Sequence, residues 1–278
     1  MKTIIIDSGG STCDWAVLEN ERLVDTFMTQ GMHPMKSDIA SITHRVFQKH
    51  ASVKGADDIY FYGAGTSTPL LINRIKASFK DHLNNNQKLH IESDLLGAAR
   101  ALCGKNRGLV CILGTGSNTA IYDGAQLTKT VASGGYLLGD EGSGYHLSKT
   151  LIINYLRNNL SVTGTAIFQQ YIKGKNIDLV NSIYTSQKPN AYIASFTQLL
   201  PLLPDMDKRN CVLPCFKEFI HKRVIPIQYT DIGLFFTGSI AFHFKKELEE
   251  ALKTVNLRPE KVEPKPIEAL IEYHIENL

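Results

Sequence analysis

The sequence contains no run of roughly 18 apolar residues, the length a membrane-spanning helix requires. Its first residues enter a strand pattern at once, which leaves no room for a signal peptide. A cytoplasmic protein without membrane contact is expected. Charge of one sign is lacking too: 30 Lys and Arg oppose 27 Asp and Glu, a net +3. So small and dispersed a surplus argues against nucleic acid or an anionic surface as partner. The five cysteines form neither a CxxC pair nor a His/Cys metal cluster. Cys13, Cys103 and Cys111 have apolar neighbours, and Cys211 and Cys215 share a helical stretch, so buried free thiols are expected. The Gly-Lys-Ser/Thr of a P-loop is absent, and no helix follows directly on the first glycines, as a Rossmann fingerprint requires. Low-complexity segments and flexible linkers are missing as well.

What is present is a 278-residue chain, 43% hydrophobic, long enough for one large or two modest domains. Residues 2–6 form an apolar strand that ends at Asp7, and the small-residue turn Ser8-Gly9-Gly10-Ser11-Thr12 follows. Strands over 13–18 and 22–28 come next, separated by the turn Asn20-Glu21. The backbone N–H groups of such a glycine turn can donate to phosphate oxygens, and a strand-end aspartate can hold water on magnesium. The competing explanation of Asp7 is an aspartate that caps its own turn. The pattern then predicts a helix from a Ser37 cap to residue 49, a strand at 59–62 and a helix at 69–83. A strand at 88–92 leads directly to Asp94 and a small-residue helix at 95–102.

From Gly108 the pattern restarts, with strands at 109–113, 119–122 and 126–131. The turn Gly114-Thr115-Gly116-Ser117 follows the first of them, in the place that Ser8 to Thr12 holds in the first half. This crude duplication would let one anion sit between two facing strand ends. About twenty residues on, SGGYLLGDEGSGY sets the paired acid Asp140-Glu141 between glycines at the start of a helix. A carboxylate accepting two hydroxyl hydrogen bonds is a common grip on a polyhydroxylated ligand, so this is a candidate sugar corner. A helix at 147–156 and proline-punctuated helical spacing over 165–224 follow. A strand at 232–237 runs into Gly238-Ser239, then a long helix at 240–253 and a final helix at 267–276.

These residues resemble the actin–hexokinase–heat-shock-protein superfamily, and within it the N-acetylglucosamine kinase group. That group shares a sequence family with activator ATPases of benzoyl-CoA reductase and 2-hydroxyacyl-CoA dehydratase. The resemblance is carried by residues 7–15, 92–104, 114–118, 139–144 and 236–241, and spans nearly the whole chain. It implies an α/β fold of two actin-like (ribonuclease H-like) lobes, each a mixed β-sheet flanked by helices, with a nucleotide cleft between them. Residues 1–107 would form one lobe. Residues 108–278 would form the other, with a helical insertion at about 160–225 and the 267–276 helix packing back on the first lobe.

The implied activity is ATP-dependent phosphorylation of an amino sugar, N-acetylglucosamine at O6, with Mg2+. N-acetylmuramic acid, N-acetylmannosamine or glucose as acceptor, a non-catalytic sugar sensor and an activator ATPase are the alternatives. By resemblance Asp94 is the catalytic base, its competing role being a helix N-cap. Asp7 would organise magnesium. Gly9, Gly10, Ser11, Thr12 and Gly114, Thr115, Gly116, Ser117 would surround the phosphates, with Gly238 and Ser239 on the adenosine side. His33, Asn118, Gly135, Tyr136, Asp140 and Glu141 would hold the sugar. Two departures stand out: Thr12 replaces a family lysine, and His33 replaces an asparagine of Gly-x-Asn-Pro. Homodimers are common in the superfamily, and the resemblance leaves one open here.

Overall fold

Ile4, Ile5 and Ile6 have no exposed surface, so the first strand is covered on both faces and belongs at the centre of its sheet. The computed structural model describes residues 1–35, 37–174, 177–228 and 231–277, and places the strand there. β1 (Lys2–Ser8) pairs antiparallel with β2 (Thr12–Glu19) and parallel with β4 (Asp58–Gly63). With β3 (Arg22–Gln30) and β5 (Lys88–Ser93) the sheet order is β3-β2-β1-β4-β5. Asn20 and Glu21, both at positive φ (48° and 62°), close the two-residue hairpin between β2 and β3.

The alternation of β-strand side chains divides the isoleucines. Ile4 and Ile6 pack with Trp15, Val17 and Phe61 against α1 (Ile39–Lys49) and α2 (Pro69–Phe79). The opposite face carries Ile5, Ala16, Leu18 and Tyr62. It is covered by α3 (Asp94–Cys103), expected from its small residues to pack closely. A Cβ at Gly97 would fall 2.9 Å from the Tyr62 side chain, so only glycine admits this approach.

The second sheet runs in the order β10-β9-β6-β7-β8, built from β6 (Gly108–Leu113), β7 (Ser117–Tyr122), β8 (Leu127–Thr130), β9 (Gly233–Thr237) and β10 (Lys261–Glu263). Between β8 and β9 lie α4 (Gly135–Leu138), α5 (Gly144–Leu156), α6 (Val162–Gly174), α7 (Leu179–Thr185), α8 (Pro189–Ala194) and α9 (Asp205–Phe219). The last runs on into a π-helical turn, Ile220–Val224. After β9 come α10 (Ser239–His243), α11 (Lys245–Lys253), β10 and α12 (Ile267–Ile275). The fold is α/β, two mixed sheets flanked by helices.

The chain divides into two units. One is Met1–Val110, Ala120–Thr128 and Lys265–Leu278; the other is Cys111–Thr119 and Lys129–Pro264. In the first, α12 lays Leu270 and Ile271 on the Ile5 face and packs on α3. Buried Tyr62 ties these elements together: its hydroxyl accepts from Arg100 at 2.8 Å and lies 2.9 Å from His274 Nε2. In the second unit the core is aromatic, with Tyr155, Phe168 and Phe196 stacked in series.

Several boundaries differ from the sequence expectation. α1 is capped by Asp38, not Ser37, because the Ser37 hydroxyl donates to the Gly31 carbonyl. The helix expected over 240–253 is two helices meeting at Phe244. β10 was not expected at all. α5 is capped by Ser143, so Asp140 and Glu141 precede the helix instead of opening it, and Tyr136 lies in the one-turn α4 instead of a loop. Among the described residues no helix is long and apolar enough to cross a membrane. All five cysteines are free and buried, and burial pushes the Cys111 and Cys215 thiols up to about 12.

Candidate active site

Asp7 is the last residue but one of β1, where the hairpin register places it directly opposite Asp14 on β2. Burial raises its carboxyl to about 8, helped by the charges of Asp94 and Asp14 and opposed by Lys265. The turn after it closes with a Gly9 N–H donating to Thr12 O at 3.0 Å, which leaves Gly10, Ser11 and Thr12 exposed. The turn is backed by the next loop. Gly31 N–H donates to Ser11 O at 2.9 Å, and Met32 N–H to the Ser8 hydroxyl at 2.9 Å. A Cβ at Gly31 would fall 2.6 Å from Gly9 O, so this close backing requires glycine. His33, in the same loop, accepts from Met35 N–H through Nδ1 at 3.2 Å and lays its ring on Gly65 of the turn after β4.

Asp94 is the first residue of α3, directly after β5. The capping role belongs to its neighbour: the Ser93 hydroxyl accepts from Leu96 N–H at 3.1 Å. Asp94 Oδ1 accepts from Leu95 N–H at 2.8 Å. Burial raises the Asp94 carboxyl to about 6, with that hydrogen bond holding it down. A carboxylate poised near neutrality, and not needed as the cap, is suited to proton transfer.

In the second unit the Gly114–Ser117 turn is held from behind. Gly144 N–H, at the start of α5, donates to Gly114 O at 2.8 Å, and Tyr145 N–H to Thr115 O at 3.3 Å. Asp140, at a left-handed φ of 57°, accepts from Ser117 N–H at 3.1 Å. The Ser117 N–H is therefore engaged by protein, whereas its buried hydroxyl has no hydrogen-bond partner among the described residues. Asn118 accepts from Thr119 N–H at 3.0 Å. Gly135 and Tyr136 lie in α4, and the Tyr136 ring meets Tyr145 edge-on at 5.4 Å. Glu141 is buried, with Oε1 3.6 Å from Lys222. Gly238, at φ 110°, packs its Cα against the Leu113 carbonyl and precedes Ser239 at the start of α10.

The structure thus groups Asp7, Gly9 to Thr12, His33 and Asp94 in the first unit. It groups Gly114 to Asn118, Gly135, Tyr136, Asp140, Glu141, Gly238 and Ser239 in the second. Three charged residues escaped the sequence reading. Asp14 was detectable, since a hairpin folded about residues 9–12 sets it against Asp7. Lys265 carries no local signal, being paired with a residue 251 positions away. Arg223, buried in the π-helical turn with Ala132 O as acceptor, carries none either. Among the described residues no group of three or more His, Cys, Asp or Glu side chains is arranged to hold a metal ion.

No protein-family model and no curated protein matches the sequence. Solved structures do. A provisionally named N-acetylglucosamine kinase of Porphyromonas gingivalis shares 30% identity over 99% of both chains, with a TM-score of 0.88. A provisionally named N-acetylglucosamine kinase of Chromobacterium violaceum is 13% identical over 98% of both chains, with a TM-score of 0.75. A glucokinase of Streptomyces griseus, solved with glucose and AMPPNP, is 14% identical over 98% of both chains at a TM-score of 0.54. The two more distant structures share the fold, which is the two-lobed actin-like one.

Proposed function

The chain belongs to the N-acetylglucosamine kinase-like group of sugar kinases in the actin–hexokinase–heat-shock-protein superfamily, and we propose that it transfers the γ-phosphoryl group of ATP to O6 of N-acetylglucosamine. The observation that carries this reading is the Asp94 carboxyl, raised to about 6 at the head of a helix that Ser93 already caps. Phosphoryl transfer has a loose transition state, so the protein's work is to position groups and stabilise charge. Asp94 accepts the proton of the sugar hydroxyl and orients its oxygen toward phosphorus. Gly10, Ser11 and Thr12 donate to phosphate oxygens, as do Thr115, Gly116 and the Ser117 hydroxyl, while Gly9 and Gly114, whose N–H groups close their own turns, let the backbone come near. Gly238 and Ser239 lie on the adenosine side.

Asp7 fits a divalent cation, because its half-buried carboxyl lies beside Asp94 and Asp14, whose charges oppose its ionisation, and a cation there favours the ionised form. Bound magnesium supplies charge neutralisation to the transferring phosphoryl group. On the sugar, His33, Asn118, Gly135, Tyr136, Asp140 and Glu141 divide the hydroxyls, the ring face and the acetamido group. Asp140 does so with one oxygen already bonded to Ser117 N–H, which links sugar recognition to the phosphate turn.

The test is ADP release measured with N-acetylglucosamine, N-acetylmannosamine, N-acetylmuramic acid and glucose. The highest kcat/KM should fall to N-acetylglucosamine, with a 6-phosphate product identified by NMR. ADP formation with none of the four would end the proposal.

A further inference from the structure

Strand register sets Met28, Asp14, Asp7, Tyr62 and Glu92 in one row across the first sheet. Asp14 and Asp7 are directly opposed on antiparallel strands, where like charges repel. Lys265 sits over this row. Its Nζ lies 2.7 Å from Asp14 Oδ1 and 3.2 Å from Met28 Sδ, and its charge reaches Asp7, next along. The Asp14 side chain is only 13% exposed there, against 46% for Lys265.

This ammonium is held in place by a docked element. Lys265 is where the chain re-enters the first unit, one residue before Pro266, the N-cap of α12. α12 is in turn fixed by Leu270 and Ile271 on the Ile5 face and by His274 at the Tyr62 hydroxyl. An ion pair with its ammonium half exposed adds little to stability. Its effect lies in which carboxylate it occupies.

We propose that Lys265 is a positioning residue for phosphoryl transfer: by holding the Asp14 carboxylate, it leaves Asp7 as the single member of the opposed pair offered to a divalent cation. The inference rests on the kinase reading above. A magnesium ion held through one carboxylate keeps waters that substrate phosphates can replace. Offered two adjacent carboxylates, the cation would be gripped by the protein before nucleotide arrives, with fewer positions left for phosphate oxygens.

The experiment is Mn2+ binding followed by electron paramagnetic resonance on the full chain, without nucleotide or sugar. Lys265→Met should bind Mn2+ about fivefold more tightly or better, the effect of one added carboxylate at water-screened range. Lys265→Arg should match the parent, whereas Asp14→Asn alone should bind more weakly, because it leaves the ammonium uncompensated beside Asp7. The double variant Asp14→Asn/Lys265→Met should return to the parent value. In turnover assays Lys265→Met should raise the KM for MgATP more than it lowers kcat. Unchanged or weaker Mn2+ binding in Lys265→Met overturns the inference, as does tight binding that persists once Asp14 is removed. Melting curves confirm that each variant is folded, and Lys265→Gln, which removes the same charge, takes the place of Lys265→Met should that variant fail to fold. Since the Mn2+ titration contains no sugar, a parent protein silent toward every acceptor would defeat the kinase reading without altering the Mn2+ outcome.

Discussion

Ser93 and Asp94 show how two residue types that both favour helix caps serve different ends a single position apart. Ser93 caps the N-terminus of α3, and the half-buried carboxyl beside it is left with a raised pKa. Asp94→Ala should lower kcat by about 10²- to 10⁴-fold while sugar binding, followed by calorimetry, is largely kept. Unchanged turnover would remove the proposed base. The same carboxyl sets a pH limb: as a base it must be ionised, so kcat/KM should fall as the medium is acidified through about 6. A profile flat across that range would contradict the assignment. Thr12, exposed at the start of β2, stands two residues from Asp14 on the same strand face, so Lys265 brings a cation close to where the resemblance expects a lysine.

At the scale of elements, the phosphate-like turn of the second unit depends on Asp140. Asp140→Ala would leave Ser117 N–H buried without its acceptor, a cost of about 1–3 kcal/mol in urea unfolding, and should raise the KM for ATP. Asp140→Asn keeps an oxygen at the same place and should cost less. Gly97→Ala, which drives a methyl into Tyr62, should destabilise by about 1–3 kcal/mol with an unchanged m-value. Elements of this kind were legible where the signal is local. The strand–turn–strand openings, the small-residue helix after Asp94 and the π-free helices of the second half follow from periodicity and glycine spacing. What escaped depends on distant partners. β10 is three residues long and exists only in register with β9, Ser37 lost its cap to a carbonyl in the preceding loop, and Phe244 interrupts an otherwise continuous helical pattern. At the site, the glycine turns and Asp94 carried motif signals, whereas Lys265 and Arg223 act through contacts that no window of sequence contains.

For the whole molecule, the raised carboxyls of Asp7 and Asp94 tie stability to pH. Each holds its proton in the folded chain at pH values where the unfolded chain has released it, so unfolding becomes easier as pH rises. Their contribution is complete below the ordinary value of 3.8 and is lost as pH climbs through about 6 for Asp94 and about 8 for Asp7. Asp7→Asn should therefore melt higher than the parent at pH 8, and near it at pH 4, while losing turnover. Equal melting temperatures at pH 8 would show that the charge is relieved in another way. The placement of α12 bears on a different matter, the order of events at the ribosome. Ile5, Ala16 and Leu18 share their sheet face with α3 and α12, yet α12 is encoded more than 240 positions after them. A nascent chain must carry the β1–β2 part of that greasy face, where α12 packs, incompletely covered until α12 is made, and chaperone dependence should ease in a circular permutant that places α12 ahead of β1.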